Sequence, residues 1–466
     1  MTVERPLTPL FADRSPAGKP AGERICTACP LLCDDIVLAD PAAPWRGCHR
    51  GVTAIDSHER AFLAPPFTPP PPFTPPPLPT PPPLPTATAW IDGTPAERER
   101  ALQRGADLLA GARRVLVTGL TDAPLEGVVA ACDLAESLGA AIDGGGRETA
   151  QLAGPTIARC GEVTAAWEEL RDRADLVLFW FQDPTPSHPR FLERFVTPPL
   201  STRGATRHTI AIGPAAVLAA SSTHSHQPLP VDDRIDLARL LLAALQGRAP
   251  HAAAPVLVAA VDALRTAIAT ATCVGIVTAA DDRLGTARWS VVELVRALSH
   301  LCPAFEIPLE STAAGPGGAG NEAVLSWRYG AGGAISRAAR TNDCHSCPAE
   351  DDAARLLDRG EVDCVVAVGR LTDELEVAIQ SRGASLQVVR IDSGTAWRGP
   401  VGVQVHCCDL LDAEGTLLRT DGRTVHLRGT SLPGRGDSLR TLLDDLCCRL
   451  SRPEAKRLRL RGGDGL

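Results

Sequence analysis

The chain has 466 residues, which at about 150 residues per domain suggests roughly three domains or one large multi-lobed unit. Hydrophobic residues make up 44% of the chain and charged residues 22%, which excludes wholesale disorder, collagen and coiled coil. The net charge of −8 argues against nonspecific binding to nucleic acid or to an anionic membrane surface, so we predict neither as a partner.

The amino-terminal stretch shows no signal-peptide layout, and no run approaches the roughly 18 consecutive apolar residues of a membrane span. The chain contains 15 cysteines, an odd number for a disulfide framework. Reduced thiols are typical of the cytoplasm, so we predict a cytoplasmic protein whose grouped cysteines bind a metal or a cluster.

The first elements in chain order are irregular. Residues 1–23 are predicted to be a flexible amino terminus and residues 24–63 a cysteine-bearing segment. Residues 64–89 contain a proline-rich tract, which cannot form helix or sheet because proline fixes φ and lacks the backbone N–H group. We expect a semi-rigid linker or surface loop there, with a ligand for an SH3-like or WW-like domain as the alternative.

From residue 98 onward, strand-like and helix-like patterns alternate. The predicted strands are 113–120, 140–143, 174–181, 207–213, 273–280, 362–369, 386–392 and 401–408, and the predicted helices are 124–140, 234–247, 256–271, 289–301 and 373–380. This alternation predicts an α/β fold with doubly wound parallel sheets, in which ligands bind at the carboxyl ends of strands. The predicted strand ends include Thr118–Gly119, Gln182–Asp183, Gly213, Thr278, Gly369 and Asp392.

The pattern changes in the carboxyl-terminal region. Residues 414–429 read as two short strands joined around Asp421–Gly422, which is a hairpin signal. A final helix is predicted over 438–450. We therefore divide the alternating part into a core at 90–400 and a carboxyl-terminal strand, hairpin and helix region at 401–466.

Four cysteines near the amino terminus have the spacing of metal ligands. Cys26, Cys29 and Cys33 lie close together, and Cys48 follows a stretch that can turn back. A [4Fe–4S] cluster needs four converging thiolates, and this spacing favours one, although the gap between Cys29 and Cys33 differs from that of simple ferredoxins. A four-cysteine zinc site uses the same ligands and remains open, as does a set of unrelated structural cysteines.

Other residues near these motifs have two interpretations. Asp34 and Asp35 would place negative charge beside a cluster and lower its potential, or they would form a solvated strand edge. The pair within Cys344–Cys347 has ligand spacing but no second pair at a suitable distance. The adjacent pairs Cys407–Cys408 and Cys447–Cys448 are expected to pack rather than chelate, since neighbours on a strand point to opposite faces.

The segment CTACPLLCDDI, followed by GCHRG, resembles the amino-terminal segment of the B subunit of formylmethanofuran dehydrogenase and of its relative, the B subunit of the bacterial formyltransferase/hydrolase complex. Both belong to the molybdopterin oxidoreductase superfamily. Similar landmarks follow in order: AAID at 140–143, RADLVLFW at 173–180, P-x-x-x-H-P-R at 184–190 and A-E-G-T-x-x-R-x-D-G at 413–422. The resemblance implies a multi-domain, molybdopterin-oxidoreductase-like α/β fold with a small amino-terminal Fe–S segment.

In catalytic members of the family, the cluster feeds a molybdenum or tungsten ion held by two molybdopterin guanine dinucleotides. A protein cysteine ligates that ion, and a histidine follows it. The resemblance aligns this pair with Thr149 and Ala150, and the stretch between strands 140–143 and 174–181 contains Cys160 but no histidine. Since a threonine hydroxyl is a hard, weakly acidic donor and a poor substitute for thiolate, we predict a degenerate Mo/W site.

Three further features could bind a ligand or have a structural role. His188-Pro189-Arg190 could contact a phosphate or a pterin edge, but we favour a turn with a surface arginine and a capping histidine. The run Gly144–Gly146 could cradle phosphate through its backbone N–H groups, although such a run is more often a flexible loop. Glu414 is better explained by hairpin geometry than by general-base catalysis.

The missing metal ligand fits the hydrolytic relative. The resemblance implies a complex that transfers a formyl group between tetrahydromethanopterin and a methanofuran-type carrier and hydrolyses it to formate. That chemistry would belong to an amidohydrolase-like A subunit and a formyltransferase D subunit with a C subunit. We therefore predict that this chain is the structural B subunit of the hetero-oligomer, with a [4Fe–4S] cluster on its four amino-terminal cysteines.

Two alternatives remain. The first is an active formylmethanofuran dehydrogenase subunit whose bis-pterin molybdenum or tungsten ion has no cysteine ligand. The second is an electron-transfer or assembly protein unrelated to formyl chemistry. Metal content and the identity of bound partner subunits distinguish all three.

Overall fold

A computed structural model describes residues 23–34, 36–37, 48–51, 88–145, 159, 161–201, 206–221, 226–248, 254–279, 285–309, 315–337, 344–393, 402–429 and 436–451. Most of the predicted flexible amino terminus and of the proline-rich linker lies outside these residues, as do Thr149, Ala150 and Cys160.

The described chain alternates strands and helices along most of its length. The strands are β1 (Glu23–Arg24), β2 (Ile36–Val37), β3 (Ala89–Ile91), β4 (Thr94–Pro95), β5 (Val115–Thr118), β6 (Ala141–Asp143), β7 (Leu176–Trp180), β8 (His208–Gly213), β9 (Gln227–Pro230), β10 (Val274–Ala279), β11 (Ala304–Leu309), β12 (Ile335–Arg337), β13 (Cys344–Ser346), β14 (Cys364–Val368), β15 (Gln387–Asp392), β16 (Val403–His406), β17 (Glu414–Leu418) and β18 (Thr424–Arg428). The α-helices are α1 (Arg98–Gly111), α2 (Leu125–Leu138), α3 (Trp167–Arg173), α4 (Ala215–Ser221), α5 (Arg234–Leu245), α6 (Pro255–Thr270), α7 (Gly285–Leu298), α8 (Gly318–Tyr329), α9 (Pro348–Asp351), α10 (Ala353–Asp358), α11 (Asp373–Arg382) and α12 (Leu439–Leu450).

A nine-stranded sheet has the order β13-β12-β6-β5-β14-β15-β16-β3-β4. Its five central strands pair in parallel, in the order β6-β5-β14-β15-β16. The strands at both edges pair antiparallel. The central strands are apolar runs buried on both faces, which is the pattern expected of parallel strands covered by helices.

A second sheet contains five strands in the order β11-β10-β7-β8-β9, and all of its neighbours pair in parallel. Together the two sheets confirm the predicted α/β fold class with parallel sheets. The alternating region predicted as one core therefore builds two sheets. Strand β16 belongs to the nine-stranded sheet, so that sheet continues across the boundary we placed between residues 400 and 401.

Local sequence signals explain how individual helices begin and end. Helix α2 ends at Gly139, whose φ of +63° is a conformation that glycine adopts at little cost. Helix α12 begins at Ser438, whose hydroxyl accepts a hydrogen bond from the backbone N–H of Thr441 at 3.1 Å. Val128, Ala131 and Leu134 of α2 belong to the same buried cluster as Leu442 and Leu446 of α12.

Buried apolar clusters cover both faces of each sheet. On one face of the five-stranded sheet, the cluster includes Cys26, Cys29 and Cys33 together with Trp167 and Phe195. The cysteine-bearing segment is thus part of the core of this half of the protein. None of the helices in the described ranges is long and apolar enough to cross a membrane.

Candidate functional site: the cysteine loop and the adjacent cavity

The loop from Cys26 to Cys33 is closed by its own backbone. The Cys26 N–H donates to the Cys33 carbonyl at 2.9 Å, and the Leu32 N–H donates to the Cys29 carbonyl at 3.3 Å. Leu32 has a φ of +48°, a left-handed conformation that is uncommon for a leucine. The short antiparallel pair of β1 and β2 flanks the loop and brings its two ends together.

The thiols of the four predicted ligands lie in one region. Cys26, Cys29 and Cys33 are buried, and Cys48 is half-buried. The Gly51 N–H donates to the Cys48 sulfur at 3.4 Å, and a Cβ added at Gly51 would lie 3.1 Å from the Cys26 sulfur. The backbone of Gly51 therefore lies between two of the sulfurs, where a larger residue would crowd them.

Burial dominates the electrostatics of this loop. It raises the pKa of the Cys26 thiol to about 11, and the nearby Cys33 and Cys48 add to the rise. Burial also raises the pKa of Cys29 to about 12, with further contributions from Cys33 and Cys26. Neighbouring thiols are thus close enough to disfavour the ionisation of Cys26 and Cys29, and a bound cation would favour the thiolate forms of these two residues.

Among the described residues, no three His, Cys, Asp or Glu side chains are arranged closely enough to hold a metal ion as they stand. The donor chemistry nevertheless fits a thiophilic centre, because four thiols share one buried region and a backbone N–H already donates to one sulfur. A [4Fe–4S] cluster or a zinc ion at these residues therefore stays a proposal.

Asp34 is held by two ion pairs. Its carboxylate pairs with Arg194 at 2.6 Å and, at 3.5 Å, with Arg423 at the turn between β17 and β18. It is therefore not a solvated strand edge, and its expected effect on the potential of a cluster stays a prediction. Asp35 lies outside the described residues. Sequence reasoning missed both arginines, since no local spacing relates them to Asp34.

The His188-Pro189-Arg190 motif lies inside the protein, so our expectation of a surface arginine was wrong. His188 is 0% exposed and Arg190 is 8% exposed. The Nδ1 of His188 lies 2.9 Å from the Ser187 hydroxyl, and its ring packs edge-on against Trp167. Burial, followed by the charge of Arg50, lowers the pKa of His188 to about 3, so its ring is neutral at physiological pH.

Arg190 connects this motif with the cysteine loop. Its guanidinium pairs with Glu193 at 2.8 Å, and its positive charge favours the ionised form of Cys26. The motif thus faces the cysteine loop. The sequence offered contact with a phosphate or a pterin edge only as the less favoured interpretation of this histidine and arginine, and the structure brings both residues to the thiol region.

The hairpin of β17 and β18 carries the A-E-G-T-x-x-R-x-D-G motif. Arg419 from this motif is 3% exposed, and its guanidinium carbon lies 4.5 Å from the ring centroid of Trp167. It pairs with Asp421 and, at 2.8 Å, with Glu168. The Asp421 carboxylate also accepts a hydrogen bond from the backbone N–H of Trp167 at 2.8 Å. The motif therefore joins the hairpin to the start of α3.

A cavity of about 1540 Å³ lies between the cysteine loop, the carboxyl ends of β14 and β15, and the hairpin. Cys29 is part of its wall, so the thiol region borders the cavity. Of the predicted strand ends, its described lining includes Gly369 and Asp392 and none of the others. The adjacent Cys407 and Cys408 line it as well while packing against two apolar clusters, in agreement with a packing role.

The cavity does not fit a metal held by pterin dinucleotides. Its described lining includes the carboxylates Asp122, Glu126, Glu376, Asp392, Asp409 and Glu414 and the guanidiniums Arg50, Arg370, Arg390 and Arg440. Carboxylates outnumber arginines, whereas a diphosphate needs a surplus of donors and positive charge. The sequence also supplies no thiol at Thr149 or Ala150, where the resemblance puts the metal ligand. We therefore derive no step through such a group.

The remaining predicted residues are spread over other surfaces. Strand β13, which carries Cys344, is exposed at the edge of the nine-stranded sheet, and His345 pairs with Asp351 at 2.9 Å. Cys447 packs partly against the core, and Cys448 is exposed. In the glycine run, Gly144 lies against the side chain of Asn321, and Gly146 lies outside the described residues.

Glu414 is exposed at the start of β17, and its neighbour Gly415 packs against Pro124 of the large-sheet half. The N–H of Thr416 donates to Glu126 of α2 at 2.9 Å. This contact agrees with the structural interpretation of Glu414 and its neighbours. Glu126 itself was missed, and the acidic first turn of α2 was the only sequence signal for it.

No protein-family model and no curated protein sequence matches this chain significantly. Among solved structures, the chain is similar to a chain of the formyltransferase/hydrolase complex of Methylorubrum extorquens, solved in complex with methylofuran. The TM-score is 0.63 and the sequence identity 20%, over 80% of this chain and 99% of that chain. At this identity the likeness concerns the fold, and the two chains share it over nearly the whole length of the relative.

Proposed function

We propose that this chain is the B subunit of a formyltransferase/hydrolase complex in tetrahydromethanopterin- and methanofuran-linked one-carbon metabolism. Its fold resembles that of a chain of such a complex over 80% of its length. That neighbour was solved with methylofuran, a carrier of the kind this function requires. The proposed role is structural, since the sequence has no thiol at the position where the resemblance puts the Mo/W ligand.

The proposed partners are the amidohydrolase-like A subunit, the C subunit and the formyltransferase D subunit. The matching chain itself belongs to a multi-subunit complex, which supports a hetero-oligomer. Within the described residues, Trp327 of α8 and Leu301 after α7 are large exposed apolar side chains. Burying apolar surface in an assembly is sufficient reason for a subunit without chemistry of its own.

We further propose that Cys26, Cys29, Cys33 and Cys48 hold one [4Fe–4S] cluster. The single observation that carries this proposal is that Cys26, Cys29 and Cys33 share one buried loop beside the cavity, with the Cys48 sulfur next to Cys26 across Gly51. Such a cluster supplies one-electron transfer or cross-links the segment that holds it. The chain's own residues exclude water through the surrounding apolar cluster and balance charge through Arg190 and the paired Asp34.

The complex itself tests both proposals. The tagged chain should co-purify with the three partner subunits in fixed stoichiometry, as identified by mass spectrometry. The purified complex should contain about four iron atoms and four acid-labile sulfides per copy of this chain and no stoichiometric molybdenum or tungsten. Purification without these partners would refute the assignment to the complex, and stoichiometric molybdenum or tungsten would refute the structural role.

A matched pair of cysteine variants tests the ligand set. Cys29 and Cys273 are both 4% exposed and belong to the same apolar cluster. Cys29→Ser should lose the iron and the sulfide, whereas Cys273→Ser should retain both. Zinc in place of iron in the wild-type protein, or equal iron loss in the two variants, would refute the cluster.

A further inference from the structure

The hairpin of β17 and β18 lies over the cysteine loop. Leu32 is buried in a cluster with Ala413, Leu417, Val425 and Leu427, all from the hairpin or the residue before it. A leucine in the left-handed region costs of order 1 kcal/mol or more and persists only where its surroundings hold it. Here the apolar face of the hairpin surrounds Leu32 and holds it in this conformation.

The conformation of Leu32 in turn determines the shape of the loop. Its N–H donates to the Cys29 carbonyl at 3.3 Å, and the following residue, Cys33, accepts the Cys26 N–H at 2.9 Å. If Leu32 relaxed to an extended conformation, the chain would leave the turn and both hydrogen bonds would be lost. The loop that carries the three cysteines would then open.

Arg419 fastens the hairpin in this position. Its buried guanidinium stacks on Trp167 and lies 5.5 Å from the ring centroid of Phe195. Its ion pairs with Asp421 and Glu168 compensate the charge within the protein. Because Trp167 and Phe195 share an apolar cluster with Cys26, Cys29 and Cys33, the anchor lies at the back of the same loop.

Two further contacts hold the ends of the hairpin. Arg423 at its turn pairs with Asp34, which follows Cys33 directly, and with Glu168. At the other end, the Thr416 N–H donates to Glu126 at 2.9 Å. The hairpin is thus connected to the cysteine loop, to the five-stranded half through α3 and to the nine-stranded half through α2.

We propose that this hairpin, residues 414–428, is a strap that holds the loop from Cys26 to Cys33 in its closed, hydrogen-bonded shape, with Arg419 as the positioning residue. The identity of the metal rests on the proposed function, whereas the shape of the loop does not. Strap and metal can therefore be tested separately.

Thiol alkylation of the metal-free full-length chain, followed by mass spectrometry, tests the strap. In the wild type, Cys29 should react far more slowly than the exposed Cys448, because burial protects it. In Arg419→Met, which keeps an apolar side chain at this position, Cys29 should react at least tenfold faster while Cys448 is unchanged. Arg428→Met, at an exposed position of the same hairpin, should leave both rates unchanged.

Iron retention supplies the second measurement. When loaded protein is mixed with a strong iron chelator, Arg419→Met should release iron at least tenfold faster than the wild type and than Arg428→Met. Circular dichroism checks that each variant is folded. Should Arg419→Met not fold, Arg423→Gln removes only the contact of the turn, and alkylation of Cys33, next to Asp34, should still rise several-fold.

An unchanged alkylation rate of Cys29 in Arg419→Met, or an equal increase in Arg428→Met, overturns the strap. If Arg419→Met does not fold, an unchanged alkylation rate of Cys33 in Arg423→Gln overturns it. If the purified wild type contains no metal but Cys29 is alkylated faster in Arg419→Met, the cluster is refuted and the strap is supported. If the wild type contains the iron but the alkylation rate of Cys29 is the same in Arg419→Met, the cluster is supported and the strap is refuted.

Discussion

The side-chain amide of Asn321 lies directly against the α-carbon of Gly144. A Cβ added at Gly144 would be 1.6 Å from the Asn321 Nδ2 atom. Asn321 is buried near the start of α8, and Gly144 follows β6, so this contact joins the helix to the end of the strand. The first glycine of the run is therefore explained by close packing, without any bound phosphate.

Gly144→Ala should destabilise the protein, because the buried Asn321 has no room to move away. Overpacking of this kind costs about 1–3 kcal/mol of unfolding free energy. Gly111→Ala is the control, since a Cβ there meets nothing within 4 Å. At this exposed helix end the change should be neutral or stabilise by about 0.5–1 kcal/mol. Urea unfolding of both variants checks the prediction, and equal midpoints would contradict it.

His188 should make the protein less stable in mild acid. Burial lowers its pKa to about 3 in the folded chain, so the unfolded chain takes up one more proton between about pH 6.5 and pH 3. Stability should therefore fall with decreasing pH by up to about 1.4 kcal/mol per unit in that window and should be independent of His188 above it.

Chemical unfolding at several pH values measures this slope. His188→Gln should reduce the slope below pH 6.5, whatever its effect on stability at neutral pH. The exposed His208→Gln should keep the slope of the wild type. A variant of His188 with the full wild-type slope would show that another group is responsible.

Metal binding at the cysteine loop should release protons. With pKa values raised by burial to about 11 for Cys26 and about 12 for Cys29, both thiols are protonated in the metal-free protein at pH 7. Each must lose its proton to become a ligand, so metal affinity should rise with pH. Titration of metal-free protein with zinc, by calorimetry in buffers of different ionisation enthalpy, should show release of about two protons or more. Release of less than one proton would contradict these values.

Arg288 should be essential for stability because it compensates a buried carboxylate. Glu306 on β11 is 1% exposed and accepts hydrogen bonds from Arg288 and from Thr278. Arg288→Met would remove the guanidinium that pairs with this carboxylate, and breaking a buried ion pair in this way costs about 3–5 kcal/mol.

A double-mutant cycle tests that assignment. Adding Glu306→Gln to Arg288→Met should recover part of the loss, because a neutral amide tolerates burial better than a carboxylate. Arg265→Met, at an exposed pair with Asp262, should change the unfolding free energy by less than about 0.5 kcal/mol. If Arg288→Met and Glu306→Gln lower the unfolding free energy by amounts that simply add in the double variant, the pairing is contradicted.

The pair of Arg288 and Glu306 also shows why some strands could be predicted from the sequence and others could not. The strand LVLFW of β7 is a continuous apolar run between turn residues, and it was predicted. The strand AFEIPL of β11, separated from β7 by β10 in the same sheet, was missed, since Glu306 and Pro308 interrupt its apolar pattern. Arg288 reaches the glutamate from α7 and compensates its charge, and such a partner cannot be recognised from the local sequence pattern.

The site was predictable to the same degree. Spacing alone brought Cys26, Cys29 and Cys33 to notice, because ligands on one tight loop are close in sequence as well as in space. The buried arginines were not predictable, because Arg419 and its partner Glu168 are far apart in the chain. A charged residue beside a predicted hairpin turn resembles surface sequence, and only the folded protein shows that Arg419 lies against the rings of Trp167 and Phe195.

The contact between the hairpin and the cysteine loop also orders events during biosynthesis. The cysteines are translated before the hairpin that covers Leu32, and most of the sequence lies between the two segments. While the residues between them are being made, the thiols are therefore accessible to metals and oxidants. Enclosure of the loop, and with it the protected form of any bound centre, can arise only after the hairpin has been made.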